Sequence, residues 1–287
     1  MRWTALGRPD QVGTWQLMSR LGTGSVAEVY AARPIHASTQ TNCDYAVKLI
    51  KPSLRQEPLA QASLRNEGLA GSAISDPHVV PVLQSSTDAD TSFLVMPRLE
   101  GAILSDALKS TGRLPIPHAI WIARQACQGL SEFHRAAWVH GDIKPGNIHL
   151  SVDGHATLID LGCAVRVGSR DADSRFLLSG TLDYMAPERL MSRHQTSIAS
   201  DIYSLGITLF ETLTGRLPFA EAHSARVAEA HLREIPPSPR TFVPQLPRSV
   251  AQLLQKMLAK QPERRPDVED ELPSTLRRLE IETFGLR

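Results

Sequence analysis

Residues 139–150 constrain the fold more than any other stretch of the chain, and they read VHGDIKPGNIHL. A Pro and a Gly in the middle exclude a regular helix, whereas the apolar residues at both ends predict packed segments on either side. Residues 148–150 are typical of a short strand. The sequence therefore predicts a tight loop that holds polar side chains between packed elements, which is where catalytic residues often lie.

Three polar side chains in this loop, Asp142, Lys144 and Asn147, point to one kind of chemistry. Asp142 can accept a proton from a hydroxyl, Lys144 can hold a negative group beside it, and Asn147 can offer an oxygen to a metal ion. Phosphoryl transfer from a magnesium nucleotide needs all three. The segment resembles the catalytic loop of protein kinases, H-R-D-x-x-x-x-N, with Gly141 in place of the Arg. It also resembles small-molecule kinases of the aminoglycoside and choline type, so the rest of the chain must decide.

Composition narrows the class of protein further. The 287 residues carry a formal net charge of +1, which does not indicate a nucleic-acid partner or a membrane surface. The three Cys have no C-x-x-C spacing and are expected to be free thiols in a reducing cytosol. Residues 1–12 lack the apolar run of a signal peptide, and the apolar-rich stretch 202–213 is too short to span a bilayer. We therefore expect a cytoplasmic protein without a membrane segment.

The alternating pattern from Trp15 to Leu21 predicts a strand, and residues 26–32 predict the strand that returns from a glycine turn. Residues 21–29 resemble the kinase glycine-rich loop, G-x-G-x-x-G-x-V, with Ala27 as the third small residue. Without Cβ atoms, Gly22 and Gly24 let backbone N–H groups approach phosphate oxygens. The resemblance implies that nucleotide is bound by Leu21, Gly22, Thr23, Gly24, Ser25, Val26 and Val29.

A strand is predicted at residues 45–50, with Ala46 and Lys48 on one face. It resembles the V-A-I-K strand of kinases, in which the small residue leaves room for adenine and the Lys reaches the phosphates. A helix follows at residues 58–74, and its Glu67 lies nineteen positions after Lys48. In the protein kinase family, a helix Glu near this spacing forms an ion pair with the strand Lys and so aligns the Lys side chain.

Further strands are predicted at residues 79–83 and 93–96. By resemblance, Met96 would guard the nucleotide pocket and residues 97–99 would form the hinge that offers backbone groups to adenine. Pro97 has no N–H, so Leu99 is the better donor.

Helices are predicted at residues 101–110 and 117–136, the second of which leads into the catalytic loop. Asp160-Leu161-Gly162, thirteen positions after Asn147, resembles the D-F-G metal motif. The resemblance makes Asn147 and Asp160 the Mg²⁺ ligands. Residues 165–179 are polar, and they predict an activation loop with hydroxyls at Ser169, Ser174 and Ser179.

Residues 186–188 resemble the A-P-E motif, and family logic pairs Glu188 with Arg265. Asp201 opens a helix that is apolar nearly all round and resembles the central helix of the kinase large lobe. By that resemblance the Asp201 carboxylate accepts N–H groups of the catalytic loop. It is also a typical N-cap residue, and both roles stay open.

Together the motifs predict an α+β, two-lobed protein-kinase-like fold: an antiparallel β-sheet lobe with one main helix, and a larger, mostly helical lobe. The expected kinase domain is residues 13–280, with tails at 1–12 and 281–287, the small lobe at 13–96, the hinge at 97–99 and the large lobe at 100–280. The resemblance to eukaryotic-type serine/threonine protein kinases implies ATP and Mg²⁺ as cofactors and Ser/Thr-bearing proteins as substrates.

The implied catalytic set is Asp142, Lys144, Asn147, Lys48 and Glu67. The alternatives are a small-molecule kinase, suggested by Gly141, and a pseudokinase that acts as a binding module. Small-molecule kinases lack a counterpart to the A-P-E region of this chain. A pseudokinase is expected to have lost a catalytic or metal-binding residue, and this chain retains all of them. By resemblance, Gly141 stands where the family has an Arg that clamps a phosphate on the activation loop. Its absence would leave Arg166 or Arg65 as imperfect substitutes.

Overall fold

The computed structural model of the chain describes residues 2–3, 9–37, 42–87, 92–168, 181–191, 196–221 and 223–285. These residues divide into two compact units. The first comprises Met1–Ser75 and Val80–Glu100, and the second comprises Asp76–Val79 and Gly101–Arg287. This division agrees with the expected α+β architecture of a sheet lobe and a helical lobe.

The first unit is built on one antiparallel sheet. Its strands are β1 (Arg2–Trp3), β2 (Pro9–Val12), β3 (Trp15–Thr23), β4 (Ala27–Pro34), β5 (Tyr45–Ile50), β6 (Gln84–Ser86) and β7 (Phe93–Pro97). They lie in the order β1-β2-β3-β4-β5-β7-β6. The main helix of this unit, α1 (Pro58–Ala73), packs against β5, β6 and β7.

Strand alternation divides the apolar side chains of the sheet into two clusters. In β5, Val47 and Leu49 join one buried cluster, whereas Ile50 joins a second cluster with Leu64 of α1. Helix and sheet approach closely at Gly71, where a Cβ atom would lie 2.4 Å from the Val82 side chain. This packing fixes α1 against the face of β5 that carries Lys48.

Two sequence predictions for this unit are wrong. Residues 9–12 are not a loose tail, because β2 pairs with β3 and Val12 is fully buried. Residues 79–83 are not a strand: Val79 forms only an isolated bridge to Leu158, and β6 begins at Gln84. Pro81 lacks the N–H that a continuous ladder at residues 79–83 would require, so Val79, Val80 and Val82 are buried without regular pairing.

The second unit is mostly helical. Its helices are α2 (Leu104–Thr111), α3 (Ile116–Arg135), α4 (Pro187–Met191), α5 (Ile198–Thr214), α6 (Ser224–Arg233), α7 (Arg248–Met257) and α8 (Glu271–Thr283). Short strands form two small sheets: β8 (Ala102–Ile103), β10 (Ile148–Leu150) and β11 (Ala156–Leu158) in one, β9 (Trp138–Val139) and β12 (Val165–Arg166) in the other.

One continuous apolar core joins α3, α5, α7 and α8. Helix α5 is buried along the whole run from residue 200 to residue 210, which confirms the prediction that this helix is buried. Helix α8 continues to a fully buried Thr283, so the predicted boundary of a C-terminal tail at residue 281 is wrong. Among the described residues, no helix is both long and apolar enough to cross a membrane.

Candidate active site

In the first unit, Lys48 and Glu67 form a close ion pair. The Lys48 Nζ lies 2.6 Å from the Glu67 Oε2, and the Glu67 side chain is 2% exposed. Backbone pairing holds Lys48 between Val29 of β4 and Leu94 of β7, and α1 supplies Glu67 from the packed helix. An ammonium group held by a buried carboxylate on rigid elements is well placed to bind an anion.

The glycine-rich segment forms the hairpin between β3 and β4, with Gly22 paired to Val29 and Thr23 paired to Glu28. The Gly24 N–H donates to the Ala27 carbonyl at 2.8 Å and closes the turn. A Cβ atom on Gly22 would meet nothing within 4 Å, and neither Gly22 nor Gly24 has a positive φ. Local packing therefore does not require glycine here, which favours a role in approach to a ligand.

The segment after β7 carries the predicted hinge. Met96 pairs with Ala46 and packs, half-buried, against the cluster that contains Leu64. The Arg98 N–H donates to the Asp44 carbonyl at 2.8 Å, whereas no described residue accepts from the Leu99 N–H. The Leu99 N–H is therefore available as the backbone donor that we predicted would bind adenine.

In the second unit, three donors surround the carboxylate of Asp142. Its Oδ2 accepts from Lys144 Nζ at 2.7 Å and from Asn147 Nδ2 at 2.9 Å. Its Oδ1 accepts from the Thr181 N–H at 3.1 Å. Lys144 also donates to the Thr181 hydroxyl at 2.6 Å. The arrangement fixes a nearly buried carboxylate, which can act as a general base when a hydroxyl is brought to it.

The predicted metal ligands lie on adjoining backbone segments. Asn147 uses its amide nitrogen to bond Asp142, so its side-chain oxygen is the atom that remains for a cation. The Ile159 N–H donates to the Asn147 carbonyl at 2.9 Å, which holds the neighbour of Asp160 against this loop. One amide oxygen and one carboxylate fit Mg²⁺, which takes few protein ligands and completes its shell with phosphates and waters.

Asp201 anchors the backbone of the loop. Its carboxylate accepts the N–H groups of His140 at 2.8 Å and Gly141 at 2.9 Å, and His134 Nε2 lies 3.3 Å away. The N-cap of α5 is Ser197, so Asp201 is not the cap. Burial by itself raises the pKa of Asp201, but the hydrogen bond from His134, neighbouring charges and the Gly141 N–H outweigh burial and hold this pKa below its ordinary value.

Gly141 adopts a conformation that other residues resist, with φ at +78°. A Cβ atom there would lie 2.7 Å from the Cys163 carbonyl oxygen. The Gly141 carbonyl accepts a hydrogen bond from the buried guanidinium of Arg189, on α4. Arg189 was missed from the sequence, although its position directly after the A-P-E motif was a usable signal. His134, at the end of α3, was also missed.

The ion pair expected from family logic joins α4 to the segment before α8. Arg265 donates to Glu188 through both arms of its guanidinium, at 2.6 and 2.8 Å, and both side chains are buried. Arg265 also donates to the carbonyls of Ala199, Ala259 and Lys260. The pair is thus fully satisfied inside the core of this unit. The loop hydroxyls of Ser169, Ser174 and Ser179 lie outside the described residues.

Comparison with known proteins is consistent with this geometry. The family model of the protein kinase domain matches residues 15–275, so the chain belongs to the protein kinase family. It is 32% identical over 255 residues to the serine/threonine-protein kinase PknA of Mycobacterium tuberculosis, covering 87% of this chain and 57% of that protein.

Two other similar proteins are also named serine/threonine-protein kinases. A Corynebacterium efficiens protein named serine/threonine-protein kinases drp72 is 36% identical over 90% of this chain and 48% of its own length. The Bacillus subtilis serine/threonine-protein kinase PrkC is 29% identical over 92% of this chain and 40% of its own length. The chain thus spans about half the length of the curated relatives it matches.

The conformation of Gly141 leads to a prediction about stability. Replacing Gly141 with Arg should not restore a phosphate clamp but should destabilise the loop, because the new Cβ meets Cys163 and the positive φ is strained. Such strain costs about 1–3 kcal/mol. The Gly141→Ala variant should lose nearly as much, since the Cβ atom causes both effects, and thermal unfolding measures the loss.

Gly112 provides the matched control, because its φ is +75° but a Cβ there would meet nothing within 4 Å. Gly112→Ala should therefore show only the conformational part of the penalty. If Gly141→Ala unfolds at the same temperature as the wild-type chain, the strain assigned to Gly141 does not exist.

Proposed function

We propose that the chain transfers the γ-phosphoryl group of MgATP to Ser or Thr hydroxyls of proteins. The observation that carries the proposal is the Asp142 carboxylate, held by Lys144, Asn147 and the Thr181 N–H in an arrangement that leaves it unable to rotate freely. The chain's membership of the protein kinase family and the names of its relatives support the same activity.

Each residue has a defined part in this reaction. Asp142 orients the acceptor hydroxyl and takes its proton as the oxygen attacks. Lys144, 2.7 Å from that carboxylate, stabilises negative charge that develops on the transferred group. Asn147 and Asp160 would hold Mg²⁺, which neutralises phosphate charge when bound. Lys48, fixed by Glu67, positions the phosphates, and the residues of the glycine-rich hairpin, Ala46, Met96 and Leu99 hold the rest of the nucleotide.

The choice of Ser and Thr over Tyr rests on Lys144 and Thr181, whose positions match those of serine/threonine kinases. The 2.6 Å hydrogen bond between their side chains supports the assignment, because it ties the loop Lys to the segment before α4. We also propose a cytoplasmic location, supported by three cysteines that are free thiols among the described residues.

One assay tests the proposal against both alternatives. The purified chain is incubated with radiolabelled ATP alone, with a generic basic protein and with an aminoglycoside. Label transferred to protein is the expected result. Transfer to the aminoglycoside would indicate a small-molecule kinase, and the absence of any transfer despite measurable nucleotide binding would indicate a pseudokinase.

The proposed activity should depend only weakly on phosphorylation of the activation loop. A phosphate there orders the loop mainly through Arg partners. Position 141 has no side chain that could bind a phosphate. The Arg189 guanidinium already donates a hydrogen bond to the Gly141 carbonyl, and Arg166 lies exposed on β12. One lost charge-assisted pair is worth about 1.5–3 kcal/mol, or roughly ten-fold or more in the ordered population.

Initial rates on an exogenous substrate are compared for phosphatase-treated chain, autophosphorylated chain and a Ser169→Ala/Ser174→Ala/Ser179→Ala variant. We expect the three rates to agree within about ten-fold. A hundred-fold drop in the two unphosphorylated forms would mean that another basic residue clamps the phosphate.

A further inference from the structure

The second unit contains a groove that none of the predicted catalytic, nucleotide-binding or metal-binding residues lines. It has a volume of about 890 Å³ and lies between residues 235–240, the outer face of α7 and residues 258–264. Its floor is apolar and is lined by Pro236, Pro237 and Ala251. Behind this floor lie Phe210, Leu254 and Leu258, which belong to the buried core and are at most 2% exposed. At its edge, Ile235 leaves 88% of its side chain exposed between Glu234 and two prolines.

The rim of the groove is positively charged. Its described lining residues include five cations and no Asp or Glu; the cations are Arg240, Arg248, Lys256, Lys260 and Arg264. The formal net charge of the entire chain is only +1, so this is a local concentration of charge. An apolar floor below a rim of one sign favours a ligand with apolar groups and the opposite charge.

Three of these cations already have partners. Arg240 donates to the carbonyls of Leu246 and Pro244, and so holds the loop before α7 in place. Lys260 donates to the carbonyls of Ala230 and His231 at the end of α6. Lys256 forms an exposed ion pair with Glu271, 2.8 Å away, which neutralises much of its charge. These three side chains therefore stabilise the wall of the groove, and little of their charge remains available to a ligand.

Arg248 and Arg264 differ from the other three. Both are exposed, and within the part of the chain that the structure describes neither side chain has a hydrogen-bond or ion-pair partner. Arg248 begins α7, whereas Arg264 ends the short 3₁₀ helix Pro262–Arg264. A guanidinium fork suits the two oxygens of a carboxylate better than an ammonium group does.

We propose that this groove docks an acidic peptide segment of a partner protein. Carboxylates of the segment would bind Arg248 and Arg264, and an apolar side chain between them would pack against Ile235 and Ala251. A small free anion would leave the apolar floor exposed to water, whereas a peptide of alternating acidic and apolar residues would use both features. The proposal concerns binding alone and holds whether or not the chain transfers phosphate.

The probe is a short fluorescein-labelled peptide of alternating Glu and Leu, with binding to the full chain measured by fluorescence anisotropy. Arg248→Glu/Arg264→Glu should weaken binding by at least about ten-fold, because it replaces two attractions with two repulsions. The matched control is Arg277→Glu/Arg278→Glu on α8, which makes the same change of charge at exposed positions outside the groove. We expect the control to keep its affinity within about two-fold.

A second variant tests the apolar part of the groove. Ile235→Ser leaves the charge unchanged and should weaken the Glu-Leu peptide several-fold, while a Lys-Leu peptide should not bind the wild-type chain. Thermal unfolding checks that all variants are folded. Failure of the Glu-Leu peptide to bind, or an equal loss in both double variants, would overturn the proposal, because the second result would mean attraction by overall charge only.

Discussion

Asp142→Asn is expected to abolish most phosphoryl transfer while nucleotide binding is kept. The three groups that hold the carboxylate, from Lys144, Asn147 and Thr181, are all hydrogen-bond donors. An Asn side chain has the same shape but presents one donor of its own, so it can satisfy these groups only in part and cannot take a proton. Loss of an orienting and proton-accepting group lowers turnover by about 10²–10⁴-fold.

The measurement is the initial rate of transfer to a generic basic protein, together with nucleotide affinity from a fluorescent ATP analogue. Lys48 and Glu67 are untouched by the change, so affinity should stay within a few-fold of the wild-type value. The matched control is Asp153→Asn, which removes the same charge at an exposed turn a short way along the chain. Turnover by Asp142→Asn within a few-fold of wild type would remove Asp142 from the reaction.

Asp201→Ala should reduce both stability and activity. The Asp201 side chain is 1% exposed, and its removal leaves the N–H groups of His140 and Gly141 buried without their acceptor. Stranded buried donors cost about 1–3 kcal/mol, and the loop that carries Asp142 loses its anchor. We expect a fall of several degrees in the unfolding temperature and a turnover reduced at least about ten-fold.

Ser197→Ala is the control that distinguishes the loss of the Asp201 anchor from a general destabilisation of α5. Ser197 caps α5 in a reciprocal pair with Ser200, and among the described residues its side-chain hydrogen bonds do not reach the catalytic loop. Loss of a cap costs about 1 kcal/mol, so this variant should be less stable but equally active. Unchanged unfolding and unchanged turnover of Asp201→Ala would show that the loop does not need the carboxylate.

The pKa of Asp201 gives this anchor a pH dependence. Because its pKa is held below the ordinary value of 3.8, the ionised carboxylate stabilises the folded chain at every pH above that value. The stabilisation is lost only as the pH falls through the lowered pKa, when the folded state must take up the proton. In Asp201→Ala, that part of the acid sensitivity should be absent.

The sequence predicted the order of the elements and much of the candidate site. Residues 140–147 lie on a loop between β9 and β10, and Lys48 meets Glu67, because short-range patterns fix which elements carry these side chains. The run at residues 79–83 was misread because its apolar character reports the burial of Val79 and Val80. It does not report a regular strand ladder, which Pro81 interrupts because it has no N–H.

Other features could not be predicted because they depend on contacts between distant parts of the chain. Gly141 was interpreted as a lost Arg and as a sign of a small-molecule kinase, whereas its positive φ and its approach to Cys163 require glycine there. The bond from Arg189 to the Gly141 carbonyl joins residues 48 positions apart. Strand β2 was missed because Val12 is a single apolar residue at the end of a polar segment, too short for its alternation to be recognised.

The most direct test of the proposed function is the identity of the amino acid that receives the phosphate. The wild-type chain is incubated with radiolabelled ATP and a generic protein substrate, the product is hydrolysed in acid, and the labelled phosphoamino acids are separated. We expect phosphoserine and phosphothreonine, with label reduced in proportion to turnover in Asp142→Asn. Mainly phosphotyrosine, or label that persists at the wild-type level in Asp142→Asn, would contradict it.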